Sequence, residues 1–277
     1  MVNSTAFLTI AIVTVFSLDS KWLGDPSGKL GLERGIHGWS KYAYMQGYDF
    51  KPYFFVPDNN ERLNWNRAQA CLEACKSSRY DWVFWTESDV WVTNYTTRLE
   101  EVIALAGHKH VILNYDAIGN LNAGSGFVKC SAVGRSALTE NLALRTAAKT
   151  HYAVQAWDTN GAWIAMLENA KWKHLISILP SRAFNSYPKC VGPIAGGNLC
   201  FYRRVMTPSR LALPSNRYVP DWTHVESDDP GFWQRGDFII HFAGFYRGGM
   251  FSFDREYKSL VVGEPETISM FDNTFFA

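Results

Sequence analysis

The chain opens with an apolar, β-branched run from Ala6 to Phe16 (AFLTIAIVTVF). Such a run without polar alternation predicts a strand buried on both faces, near the centre of a sheet. A loop with Gly24, Asp25, Pro26 and Gly28 follows, then a helix from about Leu32 to Gln46 that Gly47 stops. Tyr53 to Val56 reads as the next strand, with Pro57-Asp-Asn-Asn60 as its turn. From about Glu61 to Ser78, the spacing of Trp65, Ala68, Leu72 and Cys75 marks one apolar helical face. Asp81 to Thr86 (DWVFWT) is a further strand ending in Glu87-Ser-Asp89. The pattern adds strands at His110 to Tyr115, Ser125 to Cys130, His174 to Leu179 and Asp237 to Phe242. Helices are expected near Thr96 to Ala106, Ala132 to Lys149 and Asp158 to Lys171. Strands alternating with helices predict an α/β fold with a mainly parallel central sheet flanked by helices, where ligands gather beyond the carboxyl ends of the strands. Pro180 to Pro230 shows no period, and a loop that long suits the wall of an acceptor site.

With 277 residues, 47% of them hydrophobic, and no linker-like stretch, residues 1–277 are expected to form a single domain. A net charge of +1 provides no field for nucleic acid. Five cysteines, an odd number without zinc-ribbon spacing, argue against a disulfide framework and fit a reducing compartment. Cys71 and Cys75 then read as small apolar packers. The first apolar stretch is too short to span a bilayer and lacks a basic leader, so no membrane span and a cytoplasmic location are expected. The sequons at Asn3 and Asn94 carry little weight in that setting.

Candidate chemistry centres on Trp85-Thr-Glu87-Ser-Asp89-Val-Trp91. Residues two apart on extended backbone point the same way, so Glu87 and Asp89 can present two carboxylates to one oxygen-loving divalent cation. The tryptophans and the apolar strand around them set a dry environment in which unpaired carboxylates are costly. His241, at the end of the strand in Gly236-Asp-Phe-Ile-Ile-His-Phe-Ala-Gly244, becomes a third ligand when paired with those acids and is otherwise a core histidine. Asn122-Ala-Gly124-Ser-Gly126 reads as a glycine-rich turn with room for a sugar ring, or simply as a tight turn. Asp116 could face the same pocket. Asp158 and Asn160 read as the opening of a helix, where Asp158 serves as an N-cap, steadies positive charge, or acts as a base.

Taken in order, these stretches resemble the GT-A-fold glycosyltransferases of family 34, which include yeast α-galactosyl and α-mannosyl transferases and plant xyloglucan xylosyltransferases. The matching segments are Lys41 to Asp49, Trp85 to Asn94, Leu121 to Lys129, Asp158 to Ala162, Arg182-Ala-Phe-Asn-Ser-Tyr187 and Gly236 to Gly244. The resemblance implies a Rossmann-like nucleotide-diphospho-sugar transferase, with a donor and metal half at about 1–130 and an acceptor half at about 131–277. It implies that Glu87, Asp89 and His241 hold Mn2+ or Mg2+ against the donor diphosphate. Asn122 and Gly124 would then line the donor sugar, Asp158 and Asn160 would lie near the anomeric carbon, and Lys41, Gly244 and Arg247 would approach phosphate.

The partners so implied are a UDP-sugar donor, with xylose ahead of galactose and GDP-mannose behind, and an oligosaccharide or glycoprotein glycan acceptor. Glu87 stands where the family has Asp, Asn160 stands where plant members have Gln, and the usual anchor is missing, which suggests a soluble bacterial or viral enzyme such as large algal viruses encode. Two other readings stay open: a glycosidase using Glu87 with Asp158, and a carbohydrate-binding or virion protein on a degenerate transferase scaffold.

Overall fold

The computed structural model describes residues 8–18, 24–55, 63–116, 121–146, 152–188, 231–242, 254–255 and 257–264, the side chains of residues 27, 63 and 152–157 excepted. Six strands form the main sheet in the spatial order β2 (Asp49–Phe55), β1 (Ile10–Ser17), β3 (Trp82–Thr86), β6 (Leu121–Lys129), β5 (Val111–Tyr115) and β7 (Ile176–Leu179). The apolar run of β1 lies between β2 and β3 and is buried almost throughout, as a strand covered on both faces must be. β1 pairs in parallel with β2 and β3, and β5 with β7, while β6 runs antiparallel to both β3 and β5. The sheet is therefore mainly parallel, with one reversed strand inside it.

Side-chain alternation assigns the two faces. Val13, Val15, Val83 and Trp85 join one core with α2 (Leu63–Lys76), α4 (Ala132–Ala143) and α5 (Tyr152–Glu168). Ile10, Ile12, Trp82 and Phe84 join a second core with α1 (Pro26–Gln46) and α3 (Leu99–Leu105). Proline at the first position of α1 lacks an N–H that would be orphaned there, so the helix starts before the expected Leu32. Gly47, at φ +75°, follows its last residue as expected. Ser131 caps α4 by accepting a hydrogen bond from the Gly134 amide.

A second, two-stranded sheet pairs β4 (Val90–Val92) with β8 (Ile239–His241), antiparallel, with Val90 opposite His241. Two short helices, α6 (Ala170–Lys173) and α7 (Ser181–Phe184), complete the described elements.

Three expectations are corrected. Asn122 to Gly126 is part of β6 rather than a turn leading into it. α5 begins at Tyr152, so Asp158 is not an N-cap; it lies inside the helix with φ +48°, a left-handed conformation that Asp tolerates better than most residues. Cys75 is no simple packer: it is joined to Cys130 in a disulfide, because β6 ends beside the last turn of α2. The bond removes the premise for expecting a reducing compartment. Cys71 remains a buried free thiol, which burial pushes up to about 12, and it is an inert filler. No described helix is long and apolar enough to cross a membrane. The acceptor wall expected from Pro180 to Pro230 falls mostly outside the described residues.

The cystine links residues 55 apart, so Cys130→Ser is expected to lower the free energy of unfolding by about 2–4 kcal/mol in urea titration. An unchanged midpoint would contradict the bond.

Candidate metal centre

The centre is built where the chain leaves the carboxyl end of β3. Trp85 turns into the core, and its indole N–H donates to the Ala123 carbonyl at 2.9 Å. Thr86, fully buried, meets the Ser125 hydroxyl at 3.2 Å. The next three residues, Glu87-Ser-Asp89, form a turn into β4, so the two acids converge through a bend rather than along an extended strand. α1 braces that bend twice. The Trp39 indole donates to the Val90 carbonyl at 2.9 Å, and Gly35 lies so near that an added Cβ would sit 2.9 Å from the Ser88 carbonyl oxygen.

The antiparallel ladder of β4 and β8 then delivers His241. Its backbone N–H donates to the Ser186 carbonyl, and the Phe242 N–H donates to the Asp89 carbonyl. The imidazole is fully buried, with Nε2 3.1 Å from Glu87 Oε2 and 3.6 Å from Asp89 Oδ1. One ligand atom from each of Glu87, Asp89 and His241 lies within 4.8 Å of the others. The acids keep 29% and 16% of their side-chain surface exposed, so the centre is open on one side.

These residues suit a divalent cation on three grounds. His241 Nδ1 is hydrogen-bonded to Asn185 Oδ1 at 2.8 Å, whereas the buried Nε2 has no hydrogen-bond partner. Carboxylate and imidazole donors match a hard or borderline divalent ion. Gly124 of β6 leaves open the space where a Cβ would lie 2.6 Å from Glu87 Oε2 and 2.8 Å from His241 Cε1.

Without a cation, a proton does part of the same work. Burial opposes a charged imidazole, but the Asp89 and Glu87 carboxylates outweigh it and raise the His241 pKa to about 9. Burial likewise opposes a charged Glu87, yet Arg67 and then His241 hold its carboxyl well below the usual range. Arg67, buried on α2, pairs with Glu87 Oε1. No local pattern in the sequence marks it, because Trp65, Ala68, Leu72 and Cys75 set the period of α2 and Arg67 lies outside that period. Arg67 also lines a small cleft with Trp85, Thr159, Trp163 and Asn141, whose buried amide has no protein partner.

The remaining candidates divide by location. Asn122 Oδ1 accepts from the Gly124 N–H at 2.7 Å, and Asn160 Oδ1 accepts from the Ala123 N–H at 3.0 Å, so side chains satisfy the backbone of β6 beside the acids. Asp158 shares α5 with Asn160. Asp116 follows β5, and its carbonyl accepts from the Ser181 hydroxyl at 3.1 Å. Lys41 is buried on α1 with its ammonium 3.0 Å from Glu264, a partner that the expected phosphate contact did not foresee. Gly244 and Arg247 lie outside the described residues.

No protein-family model matches the sequence, and no curated protein is significantly similar to it. Among solved structures, the chain is similar to a glycosyltransferase involved in the glycosylation of the major capsid of PBCV-1. The two share 13% identity and a TM-score of 0.59 over 91% of this chain and 99% of that one. The glycosyltransferase GlyE of Streptococcus pneumoniae TIGR4 is similar over 95% of this chain and 67% of its own, at 13% identity and a TM-score of 0.46. The first likeness shows that the two chains share a fold, the mixed α/β arrangement with a central six-stranded sheet described above.

The raised His241 pKa has a testable sign. In metal-free protein, the imidazolium's contribution to stability is complete below the unfolded value of 6.5 and is lost as pH rises through about 9. Thermal unfolding in EDTA should therefore show stability falling from pH 6.5 to 9.5 more steeply for wild type than for His241→Gln. Equal slopes would contradict the charge arrangement.

Proposed function

We propose that the protein is a divalent-metal-dependent glycosyltransferase that moves a sugar, xylose before galactose, from a UDP-sugar onto an oligosaccharide or glycoprotein glycan. The observation that carries this reading is the convergence of Glu87, Asp89 and His241 against the open side of Gly124, at the carboxyl edge of the sheet in a GT-A-like fold. The donor preference comes from the sequence resemblance to family 34. A glycan acceptor is supported by that resemblance and accords with the capsid glycosylation in which the PBCV-1 protein is involved.

In this reading, residues 1–277 work as one catalytic domain, the first half serving donor and metal and the second half serving the acceptor. Glu87, Asp89 and His241 would hold manganese or magnesium, which when bound would offset charge on the departing nucleoside diphosphate. Arg67 keeps Glu87 ionised and occupies one of its oxygens, leaving the other directed at the centre. Gly124 leaves room beside the acids, and the Asn122 and Asn160 side chains fix the backbone around it. Asp158 and Asn160 are assigned to the anomeric-carbon side of the donor, and Asp116 to the pocket wall.

The glycosidase reading fits less well. Arg67 and His241 hold Glu87 ionised, which leaves it only the nucleophile or base role of a carboxylate pair, and the reading gives no part to His241 beside it.

Calorimetric titration of UDP into wild type and Asp89→Ala, with and without Mn2+, tests the proposal. Binding should require the metal and weaken at least about tenfold in the variant, a loss of roughly 1.4 kcal/mol or more. UDP binding that ignores both metal and mutation would contradict it, and so would none at all. Comparing hydrolysis of UDP-xylose and UDP-galactose then ranks the donors.

A further inference from the structure

A neutral imidazole carries one N–H and one lone pair, and whatever occupies one nitrogen decides the character of the other. At His241, that decision is made by a line of buried amides. Asn114 Nδ2 donates to the Ser125 carbonyl at 3.0 Å, and a carbonyl can only accept. Asn114 Oδ1 is therefore turned the other way, where it accepts from Asn185 Nδ2 at 2.6 Å. The same Nδ2 donates to the Tyr187 hydroxyl at 2.6 Å. Asn185 must then present its oxygen to His241 Nδ1, 2.8 Å away. Ser125, Asn114, Asn185, Tyr187 and His241 are all fully buried, so no water repairs a reversed amide.

We infer that Asn185, itself oriented by Asn114, is a positioning residue that keeps the proton of His241 on Nδ1 and turns the Nε2 lone pair toward Glu87 and Asp89. The inference rests on the metal-centre reading above and deepens it. Neither asparagine ligates or touches the reacting atoms; each acts through the histidine. Asn185 is itself held from outside. Arg182 pairs with Asp237 at 2.8 Å, and the Ser186 hydroxyl donates to the same carboxylate at 2.9 Å. The Tyr187 ring lies 5.2 Å from the His241 ring at 31°, which restricts the imidazole's tilt. An outer partner of this kind orients a ligating histidine and raises its basicity, and its removal typically costs 10- to 100-fold in metal affinity.

The test uses Mn2+ alone, with free ion counted by electron paramagnetic resonance, on wild type, Asn185→Leu and Asn185→Asp. Leucine removes the acceptor, so affinity should fall roughly 10- to 100-fold. Aspartate keeps an oxygen on the Nδ1 proton but gives up the donor to Asn114, so it should bind Mn2+ more tightly than the leucine variant and less tightly than wild type. Equal binding by wild type and Asn185→Leu overturns this inference and leaves the metal reading intact. Equal weakening by both variants also overturns it, because an acceptor on Nδ1 would then make no difference to the metal. No Mn2+ binding by wild type overturns both readings.

Should the variants misfold, nitrogen-15 histidine spectra of Zn2+-loaded wild type give the answer without mutation. A slowly exchanging proton on His241 Nδ1 is expected, and an unprotonated Nδ1 overturns the assignment.

Discussion

His241 sets the central constraint. Its ring is fully buried, with an amide oxygen at one nitrogen and two carboxylates near the other. Carboxylates and a lone pair crowded together in a half-buried space repel unless something positive lies among them. A proton can serve, which is why the histidine binds one so firmly, and a divalent cation can serve better by meeting three donor atoms at once. Arg67 relieves the remaining charge from behind Glu87 without entering the space.

Much of the surrounding architecture follows from holding those three groups in place. β3 carries the acids to the sheet's edge, α1 braces their bend, and β8 comes alongside β4 to seat the histidine. The reversed strand β6 extends past the end of β3, so on that side no strand satisfies its backbone, while β5 still pairs with it on the other. Trp85, Asn122 and Asn160 supply those hydrogen bonds with side chains, and the absence of a Cβ at Gly124 keeps the space clear. Residues expected as ligand contacts in their own right thus also build the wall beside Glu87, Asp89 and His241.

Several of these features are legible in the sequence. The apolar run of β1 announces a central strand, and the acids after Trp85-Thr86 announce a charged strand end. His241 is legible only in company, since a lone strand-end histidine has no distinguishing pattern. What cannot be read locally is pairing over distance: β4 has three residues, and its partner lies about 150 positions away. Cys75 and Cys130 are hidden for the same reason, being 55 residues apart among an odd number of cysteines. Asn185 and Arg67 carry no period and no motif chemistry of their own. Asn185 does lie in the Arg182 to Tyr187 stretch that carries the family resemblance, which is the one signal that could have singled it out. Asp158 misleads because Asp before Thr-Asn resembles a cap, whereas the helix already runs through it with one left-handed residue.

The central claim is that one divalent cation binds among Glu87, Asp89 and His241. Anomalous diffraction from crystals soaked in Mn2+ and UDP, collected above and below the manganese edge, tests it most directly. A manganese peak is expected in contact with Asp89 and with His241 Nε2, beside the UDP diphosphate. A peak elsewhere, or His241 Nε2 still facing the carboxylates with UDP bound and no metal, would contradict it.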